Sequence, residues 1–336
     1  MVGEVERVSV IIPTLEEAGR LGRLLDALKG QKGVAMDVVV ADGGSIDGTP
    51  EVARRAGARV VEVGMASRAR QMNAGALVSE GEWLLFLHAD SVPADVDLLR
   101  DALERMRREE QGGVSERVVG HFSLYFEGAQ RGDRGRFFRG LERKSALNRA
   151  LTTNGDQGML MRRETYEAVG GFDEGLGYLE DQRFIAALEK RGGRRVTLGG
   201  YLRTSTRRFE VEGVGARYAT MTLIMMAEAV GLEAFLSDEE RVYAPQHRAG
   251  RLRFFQQLKV FGAVLRTGDR QVVRRRLRGL GVLGWQNLWQ VPFGIDVWLW
   301  PASHGPTPLM DAWDRVAGSG QRVCGDKGSD VECAST

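Results

Sequence analysis

Asp90 closes the run Trp83-Leu84-Leu85-Phe86-Leu87-His88-Ala89-Asp90. Burying a carboxylate is costly unless it is paired or binds a metal, so Asp90 is a candidate ligand for a divalent cation. Its bland alternative is to cap the helix that begins near Asp95. Asp42 opens a second polar loop, Asp42-Gly43-Gly44-Ser45-Ile46-Asp47-Gly48-Thr49. Glycines such as Gly44 let backbone approach a ligand closely, and Asp42 can accept hydrogen bonds from a base or a ribose. A tight turn with an Asx cap would use the same residues. The loop is not the dinucleotide G-x-G-x-x-G, and it lacks the lysine of a P-loop. Arg68, Arg70 and Asn73 suit a phosphate, a base or a solvated helix face. Arg207 and Arg208 offer guanidinium forks that match phosphate oxygens.

These side chains need elements to hold them. Residues 8–13, Val-Ser-Val-Ile-Ile-Pro, form a β-branched run closed by proline and predict a first strand. Leu21, Leu24, Leu25 and Leu28 then recur at helical spacing. Thr14 and Glu17 stand before them at capping-box distance. Residues 36–41, 58–63 and the run from Trp83 predict further strands, and Pro93 stops the last from pairing on. Pro50 suits a first helical position, and Ser67 suits an N-cap. Strand–helix alternation of this kind predicts a parallel, doubly wound sheet. Ligands bind such sheets at the carboxyl ends of the strands, where Asp42 and Asp90 stand. A charged helix over 95–110, a strand over 117–126 and an edge strand over 194–198 follow. Residues 128–150 are strongly basic, as an amphipathic surface helix or as a wall facing an anionic donor or acceptor.

Composition sets bounds. The 336 residues are 43% hydrophobic and 27% charged, enough for a real core in one large domain or two smaller ones. A net charge of +2 argues against bulk nucleic-acid binding. Cys324 and Cys333 lie in a Gly/Ser/Asp-rich tail with no metal spacing. The N-terminus has no apolar h-region, and no apolar run approaches the roughly 20 residues of a membrane span. The expectation is a cytoplasmic protein, free or peripheral at the inner face of the membrane.

Four stretches in order carry a resemblance: Ile12-Pro13-Thr14-x-Glu16-Glu17, Asp42-Gly-Gly-Ser-x-Asp47-Gly-Thr, Arg70-x-x-Asn73-x-Gly75 and Phe-Leu-His-Ala-Asp90. Together the chain resembles family 2 glycosyltransferases of the GT-A fold, and more narrowly a bacterial subgroup with His-Ala-Asp in place of Asp-x-Asp. The resemblance spans residues 7–210. Downstream it takes in Gly155-Asp156-Gln157, Gly170-Gly171-Phe172-Asp173 and Glu180-Asp181. It implies an α/β, GT-A-like fold, with a mostly parallel doubly wound sheet flanked by helices. It also implies transfer of a hexosyl unit from a nucleotide-diphosphate sugar (UDP- or GDP-linked), with inversion and with help from Mn²⁺ or Mg²⁺.

The resemblance assigns roles as well. Pro13, Thr14 and Glu16 would line the nucleotide pocket, with Asp42 and Gly44 at the base or ribose and Arg70 and Asn73 nearby. His88, Ala89 and Asp90 would face the donor, Asp90 holding the cation. Asp181 would be the base, Glu180 would orient it or the acceptor, and Asp156 and Gln157 would touch the acceptor. Arg207 and Arg208 would clamp the departing diphosphate. His88 departs from the pattern: a neutral imidazole is a poor ligand for Mg²⁺ but acceptable to Mn²⁺, and ribose contact or packing are its other uses. Glu180 and Asp181 also suit a helix N-terminus merely as first-turn acids.

The expected division is a catalytic domain over 1–212, a helical, basic and aromatic extension over 213–317, and a disordered tail over 318–336. Basic residues beside Trp285, Trp289, Trp298 and Trp300 suit a membrane interface, or packing, or a subunit contact. Two other functions compete. One is a non-catalytic nucleotide-sugar-binding scaffold. The other is a nucleotidyltransferase, disfavoured because Thr14-Leu15-Glu16-Glu17 stands where a basic Gly-rich loop would follow the first strand.

Overall fold

The computed structural model describes residues 6–112, 117–129, 132–149, 151–175, 177–238, 242, 250–302 and 305–317. The expected disordered tail, with Cys324 and Cys333, lies outside them.

Strands β1 (Arg7–Thr14), β2 (Ala35–Asp42), β3 (Arg59–Glu62) and β4 (Trp83–Phe86) make the parallel half of the sheet. Alternate residues of β1 part to opposite faces. Val8, Val10 and Ile12 join the core with Leu21, Leu24, Leu25 and Leu28 of α1 (Ala18–Lys29), whereas Ile11 joins that with Ala69, Met72 and Ala76 of α3 (Arg68–Val78). Leu85 and Leu84 of β4 divide likewise. With both faces covered, the strands need the continuous apolar runs seen in the sequence. Gly75 lets α3 lie on β1, since a Cβ there would stand 2.5 Å from Ile11 Cγ2. Thr14 pairs with Asp42, so their loops emerge side by side.

The other half is mixed. β5 (Val92–Pro93), β6 (Val118–Glu127), β7 (Met159–Arg162) and β8 (Arg194–Ser205) complete the order β3-β2-β1-β4-β7-β6-β8-β5. β7 is antiparallel to both β4 and β6, and β8 is parallel to β6 but antiparallel to β5. The strand expected over 194–198 is longer: residues 194–197 pair with β6 on one side as an edge, and β5 covers its far end at Leu202 and Arg203. Pro93 of β5 takes the edge, where a missing N–H costs no ladder bond. α2 (Thr49–Arg55), α4 (Leu98–Gly112), α5 (Gly132–Ser145), α6 (Arg163–Val169) and α7 (Glu180–Lys190) flank the sheet. The capping box expected from Thr14 and Glu17 does not form. Glu16 takes φ +58° and delays the helix, and Asp47 accepts from Ala18 N instead, at 3.0 Å.

Beyond the sheet come α8 (Arg207–Glu212), α9 (Val214–Ala229), α10 (Glu233–Leu236), α11 (Phe254–Leu265), α12 (Arg270–Gln286), α13 (Gln290–Leu299) and α14 (Pro308–Ala317). They are held by two small cores. Tyr178 and Leu179 pack with α9, α10 and α11, and Leu147 packs with Trp289, Phe293, Val297 and Met310. Two cations of the basic stretch serve as anchors. Arg143 donates to the carbonyls of Trp300, Gly305 and Pro306 at 2.8–3.1 Å, and Arg149 lies 4.7 Å from the Trp289 ring. Among the described residues, no helix is long and apolar enough to cross a membrane.

Candidate active site

Three groups of loops meet at the carboxyl ends of the parallel strands. The first is built around Asp42, which is only 1% exposed. Its carboxylate accepts from Thr14 Oγ1, Ser45 Oγ and the amides of Gly44 and Ser45 at 2.6–3.0 Å. Glu16 locks the loop from the other side, taking Ile46 N at 2.8 Å and giving its own amide to Ser45 Oγ at 2.9 Å. Gln71 ties both strand ends together through the carbonyls of Thr14 and Ala41, at 2.7 and 2.8 Å.

The second group is the turn after β4, and the third joins the 3₁₀ turn Gly155–Gln157 to the start of α7. They face one cavity of about 520 Å³ bordered by Arg68, His88, Asp90, Asp156, Asp181 and Arg208. His88 Nδ1 lies 2.7 Å from Asp156 Oδ1. Burial and Arg68 push the imidazole down, but Asp156, joined by Asp90, more than reverses this, so His88 holds its proton above the usual range. Burial opposes ionisation of Asp156, yet the hydrogen bond and charge of His88 hold it well below the ordinary carboxylate range. Asp156 keeps 54% of its side-chain surface open, and that surface faces the cavity.

Asp181 accepts from Gln182 N at 2.8 Å and from Gly155 N. Burial, then the charge of Glu180 beside it, push it up to about 6, outweighing those amides and Arg68. A carboxylate poised there can take a proton near neutral pH. Glu180 is 2% exposed. Arg68 donates to its Oε1 at 2.9 Å, and its Oε2 has no hydrogen-bond partner among the described residues. Gly155 leaves room for this junction, because a Cβ there would lie 2.9 Å from His88 Nε2 and 3.5 Å from Asp181 Oδ2.

Asp90 sits among charges of both signs. Burial pushes its carboxyl up, and Asp156 adds to this against His88 and Arg207. Glu17 is raised by burial and by Asp90 in turn, with Arg207 Nη2 3.5 Å from its Oε1. Among the described residues, no three His, Cys, Asp or Glu side chains converge as a cage for a metal. Mg²⁺ sites commonly use one or two carboxylates and take the rest from phosphate oxygens and water. Asp90, buried beside Asp156 and bordering the cavity, fits a cation held in that way.

The model of the family described as "Glycosyl transferase family 2" matches residues 9–170. They form a family 2 glycosyltransferase domain. Over 196 residues the chain is 28% identical to the succinoglycan biosynthesis protein ExoA of Rhizobium meliloti (strain 1021), covering 55% of this chain and 58% of that protein. The chain thus matches a little over half the length of that curated relative. Among solved structures, the mannosyltransferase PcManGT from Pyrobaculum calidifontis, in complex with GDP-Man and Mn²⁺, matches with a TM-score of 0.52 and 19% identity. That match covers 88% of this chain and 87% of the other, and the likeness is one of fold.

The expected residues, within the glycosyltransferase domain and just beyond it, fall into three sets. His88, Asp90, Asp156, Asp181 and Arg208 border the cavity, and Ala89 and Glu180, next to them in the chain, are buried. Pro13, Thr14, Glu16, Asp42 and Gly44 lie together in the neighbouring loop layer, and Arg207 reaches Glu17 beside Asp90. Arg70, Asn73 and Gln157 do not face the cavity. Arg70 pairs with Glu174 at 3.0 Å. Asn73 is taken up by the 170–174 turn. Gln157 is fully buried, donating to the carbonyls of Phe122 and Ser145 and accepting from Asn154 N. Asp90 does not cap α4, which begins only at Leu98.

Arg68 and Glu17 are the residues that motif reasoning undervalued. Glu17 sits inside a quoted stretch and Arg68 two residues before another, but only the fold brings Arg68 to Glu180 and Glu17 into the field of Asp90. Lys144, from the basic stretch over 128–150, borders the cavity together with Arg217 and the methionines of α9, and no sequence signal marked the latter two.

Proposed function

We propose that this chain transfers a hexosyl unit from a UDP- or GDP-sugar to an acceptor hydroxyl, with inversion. The observation that carries this reading is the convergence of Asp90 and Asp181 on one cavity at the carboxyl ends of the parallel strands. Asp181 takes the proton as the acceptor oxygen bonds to the anomeric carbon. The bond from that carbon to the diphosphate breaks, and the electron pair leaves with the nucleoside diphosphate. Glu180, clamped by Arg68, fixes Asp181 and raises its affinity for the proton. Asp42 and Glu16 shape the loop that would seat the nucleotide, acting through backbone that their carboxylates hold in place. Asp90 would hold a divalent cation, Mn²⁺ or Mg²⁺. When bound, the cation supplies Lewis-acid stabilisation of charge on the leaving diphosphate. Arg207 and Arg208 stand where they can share that task. The Mn²⁺ and GDP-Man of the PcManGT complex support the choice of donor class and metal.

The test is thermal stabilisation by UDP, GDP and their sugars, with and without Mn²⁺. A ligand that binds only the native state raises Tm by mass action. One nucleotide should give a metal-dependent shift, and Asp90→Asn should abolish that shift together with turnover. Unchanged metal dependence in Asp90→Asn would remove Asp90 from the mechanism.

The extension supports peripheral membrane contact. Leu277, Trp285 and Trp298 are 52%, 72% and 64% exposed. Arg274, Arg275 and Arg278 are exposed on the same helix as the first two. Apolar and basic side chains combined in this way suit an anionic lipid surface.

A further inference from the structure

The cavity is bordered by more than reacting groups. Polar members come from α3, the turn after β4, the 3₁₀ turn and α7, and the surrounding elements add others, Lys144, Arg208, Arg217, Tyr218 and Asn287 among them. A second wall comes from the C-terminal extension: Met221, Met225 and Met226 of α9, with Leu280 and Leu283 of α12. Phe126, Leu141 and Phe209 continue it on the side of the catalytic domain. The α9 and α12 members are half-buried and border a space of about 520 Å³. A sugar laid against these five apolar side chains would lose hydrogen bonds to water that they do not replace. Apolar side chains around so large a space also forgo packing contacts, which an alkyl chain would restore. Methionines, flexible and polarisable, make a wall that adapts to such a chain.

We propose that the acceptor is an amphiphile whose head presents a hydroxyl to Asp181 and whose alkyl chain lies between α9 and α12. This rests on the glycosyl-transfer reading of the same site. The oxygen of the head bonds to the anomeric carbon, and the bond from that carbon to the diphosphate breaks. The proton goes to Asp181, and the electron pair leaves with the nucleoside diphosphate. α12 carries apolar chemistry outward as well, with Leu277, Val282 and Trp285 exposed. An alkyl chain leaving a bilayer would meet apolar side chains on both sides of that one helix.

The test uses the full chain and a series of n-alkyl β-D-glucosides, each below its micellar concentration, titrated by calorimetry against methyl β-D-glucoside. Each methylene buried should tighten Kd roughly fourfold until the cavity is filled. Met225→Gln and Leu283→Gln should each weaken decyl glucoside by about tenfold. Both should keep the metal-dependent Tm shift with the nucleotide, which shows that the variants are folded. An affinity that does not grow with chain length, alongside an intact nucleotide shift, overturns the amphiphile and leaves glycosyl transfer standing. Chain-length dependence that both variants leave unchanged puts the alkyl chain elsewhere and also overturns it. Chain-length dependence with no nucleotide shift in the parent protein sinks the donor reading, and the acceptor assignment with it.

Discussion

Asp181 and Asp90 are both carboxyls that the fold makes reluctant to ionise, for different reasons. Asp181 is raised by burial and by Glu180, its neighbour in the chain, and reaches about 6. Asp90 is raised by burial and by Asp156, which is brought to it from the 3₁₀ turn. The rate should therefore fall on the acid side of about pH 6, as the Glu180–Asp181 pair takes up a proton. Asp181→Asn should lower kcat roughly 10²- to 10⁴-fold with donor affinity nearly unchanged. A donor affinity that collapses with the rate would end its role as base. Linkage gives a second readout. A carboxyl raised in the folded state contributes stability below its ordinary range and loses it as pH rises through about 6. The Tm of Asp181→Asn should thus gain on that of the parent as pH increases from about 5 to about 7, measured without ligand.

At the scale of elements, one residue joins α3 to the turn that precedes α7. Asn73 accepts from Tyr166 Oη and Phe172 N and donates to Phe172 O and Glu174, at 2.7–3.0 Å. Gly170 and Gly171, at φ +99° and +77°, give the turn a backbone that few other residues adopt. Asn73→Ala should cost about 2 kcal/mol, read from the urea midpoint at constant m-value. A loss under about 0.5 kcal/mol would mean that the turn holds itself. Asn73 and Arg70 lie in a stretch that resembles a donor-binding motif, yet in the fold they brace the support of α7. A helix offers several faces to its surroundings, and spacing alone does not say which of them meets the ligand.

At the scale of the molecule, the helices beyond the sheet supply one wall of the cavity. Their exposed aromatics and arginines predict binding to vesicles that contain phosphatidylglycerol. Sedimentation with such vesicles should carry the protein down at low salt and release much of it at high salt, as the basic residues are screened. The double substitution Trp285→Ser, Trp298→Ser should weaken sedimentation and leave the nucleotide-dependent Tm shift intact. Equal sedimentation with neutral and anionic vesicles, or none with either, would turn the exposed face towards a subunit contact.

The strands and helices of residues 8–112 were written in local pattern. Continuous β-branched runs specify buried parallel strands, leucines at helical spacing specify α1, and Asp42 and Asp90 stand at strand ends because each apolar run stops there. The acidic pair at α7 was equally plain, since the two residues are adjacent in sequence. Contacts between segments far apart in the chain were not legible. Arg68 reaches Glu180, Glu17 shares its field with Asp90, and His88 finds Asp156, each across dozens of positions. The buried fate of Gln157 and the edge position of Pro93 belong to the same class. Above all, the apolar wall of the cavity is made by helices whose sequences are only generically amphipathic. Local propensity and periodicity act over a few residues, whereas the meeting of α9, α12 and the sheet end depends on how the whole core closes.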